Sequence, residues 1–345
     1  MLRLPSFQFL QPTSLAEVAD ILASEESVRV VAGGTDLWPN MKRRHQKAMT
    51  VVSLMRLPEL RGIHSNGELR LGATTILSEI EQNPAVRERW PALATAVASI
   101  SSPPLRNMGT IGGNVCVDTR CTYYNQTEDW RRSIDYCMKA EGTICWVATS
   151  SPRCLAHTAS DSAPMLCALG AGVRLLSKEG ERVIPIEGLY HDDGIRYLAK
   201  RPDEIVTDVF VPGTSDASHC RAAFWKLRRR GTIDFAVLSA AVALWTDPAG
   251  IVTNARIYLG AVGSYPVPAT ESAALLIGKP LTPEIIAEAA RLARKPASPM
   301  DNTDFQAQWR GTMVVKYTEA ALRDAAGLPV ERLAPKHLPV ILEGA

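Results

Sequence analysis

Apolar and polar residues fall into two alternating periods along the chain. Ser14-Leu15-Ala16-Glu17 has the form of a helix capping box, and Val18, Ile21 and Leu22 behind it share one helical face. Val28–Ala32 is a short unbroken apolar run, the pattern of a buried strand, and it enters Gly33-Gly34-Thr35-Asp36. Val51–Leu54 and Leu69–Ala73 predict further strands. Ala92–Ile100 predicts a helix that stops at Ser102-Pro103-Pro104. Regular patterning lapses over residues 116–160, which are rich in Cys, Thr, Arg and aromatics, and resumes at Ala163–Val173. A second domain is expected from about residue 217, with strands over Ala236–Leu244 and Ile251–Leu259. Thr282-Pro283 starts a helix through Arg294, and a last helix covers Tyr317–Ala326 with Gly327 just past its end.

Composition narrows the class. The chain has 345 residues and is 46% hydrophobic, enough for a sizeable core and two or three domains. Thirty-eight Lys and Arg against thirty-six Asp and Glu leave a formal charge of +2, so nothing electrostatic points to nucleic acid. The longest apolar stretch, Phe235–Trp245, contains Ser239 and is too short to span a bilayer. Pro5 and Gln8 interrupt the N-terminal region where a signal peptide needs an apolar run. A cytoplasmic protein without a membrane partner is the expectation.

The seven cysteines change the picture. Cys116, Cys121, Cys137, Cys145 and Cys154 cluster in the unpatterned segment, whereas Cys167 and Cys220 stand apart. Disulfides are disfavoured in a reducing compartment, and a local cluster there points to metal. Zinc sites favour close Cys pairs, which are missing here; an iron–sulfur cluster needs four thiolates without that spacing. Spacing alone leaves zinc and iron–sulfur open. A bound group would also explain how so long a segment without a periodic core becomes ordered.

Two glycine-rich segments are suited to bringing backbone close to a ligand. In Val30-Val31-Ala32-Gly33-Gly34-Thr35-Asp36-Leu37 a strand runs into consecutive N–H groups that can nest a pyrophosphate. Gly109-Thr110-Ile111-Gly112-Gly113-Asn114 offers the same chemistry with two polar side chains. Neither fits the dinucleotide fingerprint or the P-loop. Each alone reads as an ordinary tight turn. Together, beside a cysteine cluster, they point to a phosphate-bearing redox cofactor.

Val31-Ala32-Gly33-Gly34-Thr35-Asp36, Arg106-Asn107-Met108-Gly109-Thr110-Ile111-Gly112-Gly113-Asn114 and Ser160-Asp161-Ser162-Ala163-Pro164 resemble the FAD-binding subunits of the xanthine oxidase (molybdenum hydroxylase) family. Phe224-Trp225-Lys226-Leu227-Arg228, followed by Asp234 and Ala236, is similar to a later flavin-site stretch of that family. The resemblance covers nearly the whole chain. It implies an α+β architecture: a two-subdomain FAD-binding domain of the PCMH (vanillyl-alcohol-oxidase-like) type over residues 1–216, divided near residue 56. An α/β CO dehydrogenase flavoprotein-like domain would follow over 217–330, with a tail over 331–345. In the family the Gly-Gly-Asn loop reaches the Ser-Asp pair after a short connection, whereas here a long insert, about 116–158, intervenes. Cys121-Thr122-Tyr123-Tyr124-Asn125-Gln126, Tyr136-Cys137, Cys145 and Arg153-Cys154 resemble the insert of the 4-hydroxybenzoyl-CoA reductase branch, where it holds a [4Fe–4S] cluster.

The resemblance implies roles. Cys121, Cys137, Cys145 and Cys154 match the cluster ligands, while Cys116 belongs to the flavin loop and Cys167 and Cys220 are packing residues. Val31, Ala32, Gly33, Gly34, Thr35, Asp36 and Leu37 line the FAD pyrophosphate and ribose. Thr110, Gly113 and Asn114 serve the diphosphate and flavin side, Asp161 approaches the FAD, and Lys226 lies near the flavin. By residue type alone, Asp161 has a helix cap as its alternative reading and Lys226 reads as a solvated lysine beside Arg228–Arg230. Val31, Ile100 and Val206 pack on the cofactor in the family, and by type alone are core. His157 is a polar neighbour of the insert, and no hydrolytic constellation emerges. The implied partners are a molybdenum–pterin large subunit and a [2Fe–2S] small subunit, in a dimer of heterotrimers. Electrons would run from a ferredoxin-type donor through [4Fe–4S], FAD and [2Fe–2S] to molybdenum, for reductive dehydroxylation of 4-hydroxybenzoyl-CoA to benzoyl-CoA in anaerobic aromatic catabolism. The alternatives are a molybdenum hydroxylase that oxidises an N-heterocycle or other aromatic, and a zinc-stapled binding protein without flavin.

Overall fold

A computed structural model describes residues 2–213 and 220–330. The chain opens with β1 (Gln8–Leu10), α1 (Leu15–Ser24), β2 (Val28–Val31), α2 (Leu37–Lys42) and β3 (Thr50–Ser53). The three strands form a parallel sheet in the order β1-β3-β2. Ser14 Oγ accepts from Glu17 N at 3.2 Å, while the Glu17 carboxylate reaches back to Thr13 N at 2.8 Å, so the reciprocal bond of the box falls one residue earlier than its simplest form. Val18 and Leu22 of α1 are buried against Val52, Leu54, Leu57 and Leu60. Helix α2, which Pro39 conceals in the sequence, leads directly out of the first glycine loop.

The second unit contains β4 (Ile63–His64), β5 (Leu69–Gly72), α3 (Leu77–Gln82), α4 (Pro84–Arg89), α5 (Pro91–Ala98), α6 (Pro103–Arg106) and α7 (Ile111–Val115). The cysteine-rich insert follows with one short helix, α8 (Glu128–Ser133), and then α9 (Ser162–Ala168), β6 (Gly172–Ser177), β7 (Gly180–Pro185) and β8 (Ile205–Val211). Its strands pair antiparallel in the order β4-β5-β8-β6-β7. Every residue of α9 is buried.

The third unit is an antiparallel sheet, β12-β11-β10-β9, built from β9 (Cys220–Leu227), β10 (Leu238–Thr246), β11 (Val252–Gly260) and β12 (Val267–Pro268). It is backed by α10 (Thr270–Leu276), α11 (Pro283–Ala293) and α12 (Ala307–Ala325). The unbroken apolar run of β10 has a physical cause. Ala241 and Ala243 face the core shared with α5 and α9, while Ala240, Val242 and Leu244 face the helices, so both faces of the strand are buried. The last helix begins at Ala307, ten residues before the expected start at Tyr317, because its first turns bury Arg310 and Gly311 and show no apolar stripe. The expected boundary at 216/217 lies among residues 214–219, and the tail 331–345 also lies outside the described residues. No helix among the described residues is long and apolar enough to cross a membrane.

The insert is fixed at its roots. Arg120 and His157 bridge it through paired backbone bonds of 2.9 and 2.8 Å. Thr122 N donates to Asn302 O, Asn302 Nδ2 to Leu155 O, and Thr158 N to Gly263 O, which ties both arms to the third unit. Behind Asn302, the fully buried Arg310 donates to the carbonyls of Val237, Ala261 and Met300. Burial without a contacting carboxylate lowers its pKa to about 10. On the opposite side, Tyr124 OH donates to His45 O and Arg131 to Arg43 O, which docks the insert on the segment after α2.

Two predictions follow from these anchors. Arg310→Met leaves three buried carbonyls without their donor and should destabilise the fold by about 3 kcal/mol, seen as a lower urea midpoint. Burial pushes the His157 imidazole down from 6.5 to about 4. The unfolded chain then takes the proton first, so stability is lost as pH falls from about 6.5 towards 4, by up to about 3 kcal/mol. In His157→Gln, the urea midpoint should depend less steeply on pH across that window.

Candidate functional site

The two glycine loops meet back to back. Residues 32–36 connect β2 to α2, and residues 107–110 connect α6 to α7. A Cβ on Gly33 would stand 1.7 Å from Met108 O, so only glycine lets the loops close on each other. Gly34 has a φ of +70°, and a Cβ there would strike the Trp38 indole. Gly112 donates to Ala73 O at 2.9 Å, which seats α7 on the end of β5. Thr110 Oγ1 accepts from Gly113 N at 3.1 Å and caps α7. Asn114 Oδ1 accepts from Ser160 Oγ, Ser162 N and Ser162 Oγ at 2.6–3.2 Å. This fixes the Ser-Asp segment beside the second loop and leaves Asn114 Nδ2 as the donor it can offer a ligand.

Asp161 and Lys226 form a buried pair. Lys226 Nζ donates to Asp161 Oδ2 at 2.7 Å and to Ser99 O at 2.9 Å, and both side chains are 4% exposed. Burial raises the Asp161 pKa and lowers that of Lys226, while each charge opposes the shift of the other. The cap reading of Asp161 is corrected: its side chain makes no capping bond to α9, and Ser160 Oγ accepts from Ala163 N instead. The solvated-lysine reading of Lys226 is corrected by the same ion pair. Arg229 and Arg230 do face outward, pairing with Asp304 and Asp234. Asp161 Oδ1 is buried with no partner among the described residues. Such an atom is costly unless a donor meets it, and a ribityl hydroxyl or flavin N–H fits that requirement.

The remaining loop residues divide. Asp36 pairs with Arg120 and accepts from Asn40 Nδ2 at 2.9 Å, so its carboxylate is turned towards the insert; burial raises its pKa despite Arg120. Val31 packs in a small core with Met41 and Val51, against which Leu37 rests. Val206 sits in β8 within the main core, and Ile100 joins the same core. Ala32 and Thr35 are half-buried along the loop.

All four expected ligand cysteines line one narrow pocket in the insert, walled by Tyr124, Lys139 and Trp146. Each is only 4–6% exposed, and none is in a disulfide. The backbone amides of Tyr123 and Tyr124 act to lower the Cys121 pKa, and that of Ala156 the Cys154 pKa, which favours thiolates. Burial nevertheless pushes Cys121 to about 11 and Cys154 to about 12, with the charge of Lys139 acting downward on Cys154. Among the described residues, no three His, Cys, Asp or Glu side chains converge on a single ion. Cys116 and Cys220 rest against the main core and Cys167 lies within it, all away from this pocket.

Sequence reasoning missed three supports. Gly194 lies outside the insert, yet a Cβ there would stand 2.7 Å from Cys154 Sγ. Consecutive left-handed residues, Asp135 and Tyr136, turn the chain into Cys137. Arg120, adjacent to Cys121, holds Asp36 of the glycine loop and so links the two candidate cofactor sites. The positions carry no local sequence signal; only the glycine at 194 hinted at a close approach.

Residues 5–214 match the FAD binding domain in molybdopterin dehydrogenase, and residues 222–325 the CO dehydrogenase flavoprotein C-terminal domain. The nicotinate dehydrogenase FAD-subunit of Eubacterium barkeri is 29% identical over 282 residues, covering 81% of this chain and 82% of that protein. The carbon monoxide dehydrogenase medium chain of Hydrogenophaga pseudoflava is 26% identical over 323 residues, covering 93% and 97%. A solved carbon monoxide dehydrogenase from Hydrogenophaga pseudoflava superimposes with a TM-score of 0.77 at 26% identity, covering 94% of this chain and 98% of that one. Reconstituted CO dehydrogenase from Oligotropha carboxidovorans gives a TM-score of 0.78 at 24% identity, covering 95% and 100%, and bears on the fold alone. The abutting glycine loops and the buried Asp161 thus lie in a chain that belongs to the family of FAD-binding domains of molybdopterin dehydrogenases, a PCMH-type domain followed by a CO dehydrogenase flavoprotein C-terminal domain.

Proposed function

We propose that this chain is the FAD- and [4Fe–4S]-carrying electron-transfer subunit of a molybdenum-dependent 4-hydroxybenzoyl-CoA reductase. Its partners are a molybdenum–pterin large subunit and a [2Fe–2S] small subunit, in a cytoplasmic dimer of heterotrimers served by a ferredoxin-type donor. The observation that carries this reading is the gathering of Cys121, Cys137, Cys145 and Cys154 around one buried pocket. The backbone amides beside Cys121 and Cys154 support it, because they favour the thiolate form of each.

When bound, FAD supplies the switch between two-electron and one-electron transfer, and the cluster supplies one-electron transfer at low potential. The chain's own work is to hold and shield. Gly33 and Gly34 keep backbone N–H groups within reach of a pyrophosphate, with Thr35, Thr110 and Gly113 beside them. Asn114 Nδ2 donates, Asp161 Oδ1 accepts, and Lys226 keeps Asp161 oriented. Tyr124 and Trp146 keep water from the cysteine pocket.

A second reading keeps the FAD subunit but gives the complex another aromatic or N-heterocyclic substrate. The name of one relative favours it, the nicotinate dehydrogenase FAD-subunit. Steady-state assays of the complex separate the readings. Oxidation of reduced ferredoxin or viologen by 4-hydroxybenzoyl-CoA is expected; turnover of N-heterocycles in its place overturns the reductase. For the ligand set, Cys137→Ser should abolish the [4Fe–4S] signal of this chain, with the matching loss of iron and acid-labile sulfide, while FAD absorbance persists, and Cys116→Ser should leave both intact. Equal iron loss in the two variants sinks the assignment.

A further inference from the structure

Lys139 is a buried cation in the wall of the cysteine pocket. Its side chain is 5% exposed. Nζ donates to Asp118 Oδ1 at 2.7 Å, Thr119 Oγ1 at 2.9 Å and Gly194 O at 2.6 Å, which uses all three of its protons. The rings of Tyr124 and Tyr197 lie 5.0 and 5.4 Å from it. The pair with Asp118 is polarised: Lys139 faces the cysteines, whereas Asp118 does not line the pocket and accepts from Gln46 Nε2 at 3.1 Å. A buried ion pair of this kind is weak evidence for stability, since apolar residues of similar volume often serve as well. What apolar residues cannot supply is a fixed positive charge at the pocket wall.

We propose that Lys139 is an electrostatic tuning residue that raises the reduction potential of the cluster held by Cys121, Cys137, Cys145 and Cys154, and that Asp118 sets how far. The inference rests on the reading that these cysteines hold an iron–sulfur cluster. An added electron makes the cluster more negative, and a cation in a low-dielectric wall stabilises that state. Lys139 also binds the carbonyl of Gly194, the residue against which Cys154 rests, so the charge and a ligand are positioned by one loop.

The test is a redox titration of the holoenzyme followed by the paramagnetic signal of the reduced cluster, normalised to cluster content. Lys139→Gln should lower the ratio of reduced to oxidised cluster at the wild-type midpoint about tenfold, equivalent to about 59 mV for one electron. Lys139→Arg should restore it. Asp118→Asn, which leaves the lysine charge less compensated, should move the ratio the other way, and it decides the matter alone if Lys139→Gln does not fold. A purely structural lysine would alter stability and iron loading without moving the midpoint. Ratios within a factor of two of wild type in both variants overturn the proposal. Wild-type holoenzyme whose iron and acid-labile sulfide account for the partner subunit's [2Fe–2S] clusters alone overturns instead the reading on which it rests.

Discussion

Buried cations capped by backbone carbonyls and carboxylates hold the cysteine-rich insert in place. The insert has only a small apolar cluster of its own, around Tyr124 and the cysteines. Its shape is therefore imposed from outside. Arg120 reaches Asp36 and Asn40, Arg131 reaches Arg43 O and Glu128, and Lys139 reaches Asp118 and Gly194 O. Arg310 supports Asn302, which receives both arms of the loop. A buried charge is costly unless it is paired, so each cation restricts the backbone arrangements around it, although Arg120 Nε and Arg131 Nε are buried without a partner among the described residues.

That constraint joins the two candidate cofactor regions. Cys121 opens the thiol pocket, and its neighbour Arg120 grips the carboxylate that ends the first glycine loop. The second glycine loop abuts the first through Gly33 and Met108, and through Asn114 it fixes the Ser160–Ser162 segment that presents Asp161. Pocket and loops are thus successive positions along one rigid path rather than separate attachments. On the proposed reading, a loop held at its roots and on its flank would fix the separation between the two centres.

The same geometry explains why conserving residue type is not the same as knowing a residue's role. The resemblance implies that Asp36 lines the FAD pyrophosphate and ribose, and the fold pairs its carboxylate with an arginine from the insert. Asp161 reads as a helix cap, yet Ser160 does that work and Asp161 faces Lys226.

Local chemistry was legible in the sequence: the strand entering Gly33-Gly34, the cap at Ser14, the proline-started helix at Thr282 and the doubly buried run of β10 all follow from residue type and period. The glycine motifs also carried the resemblance to the family, and it was that resemblance, not cysteine spacing, that implied the four ligand candidates. The early start of the last helix was hidden because its first turns bury Arg310 and Gly311, which break any apolar stripe. The partners of Asp36, Asp161 and Lys139, and the contact of Gly194 with Cys154, come from segments distant along the chain. Period and propensity describe neighbours a few residues apart; which charge faces which across the core is decided only when the units pack and water is excluded between them.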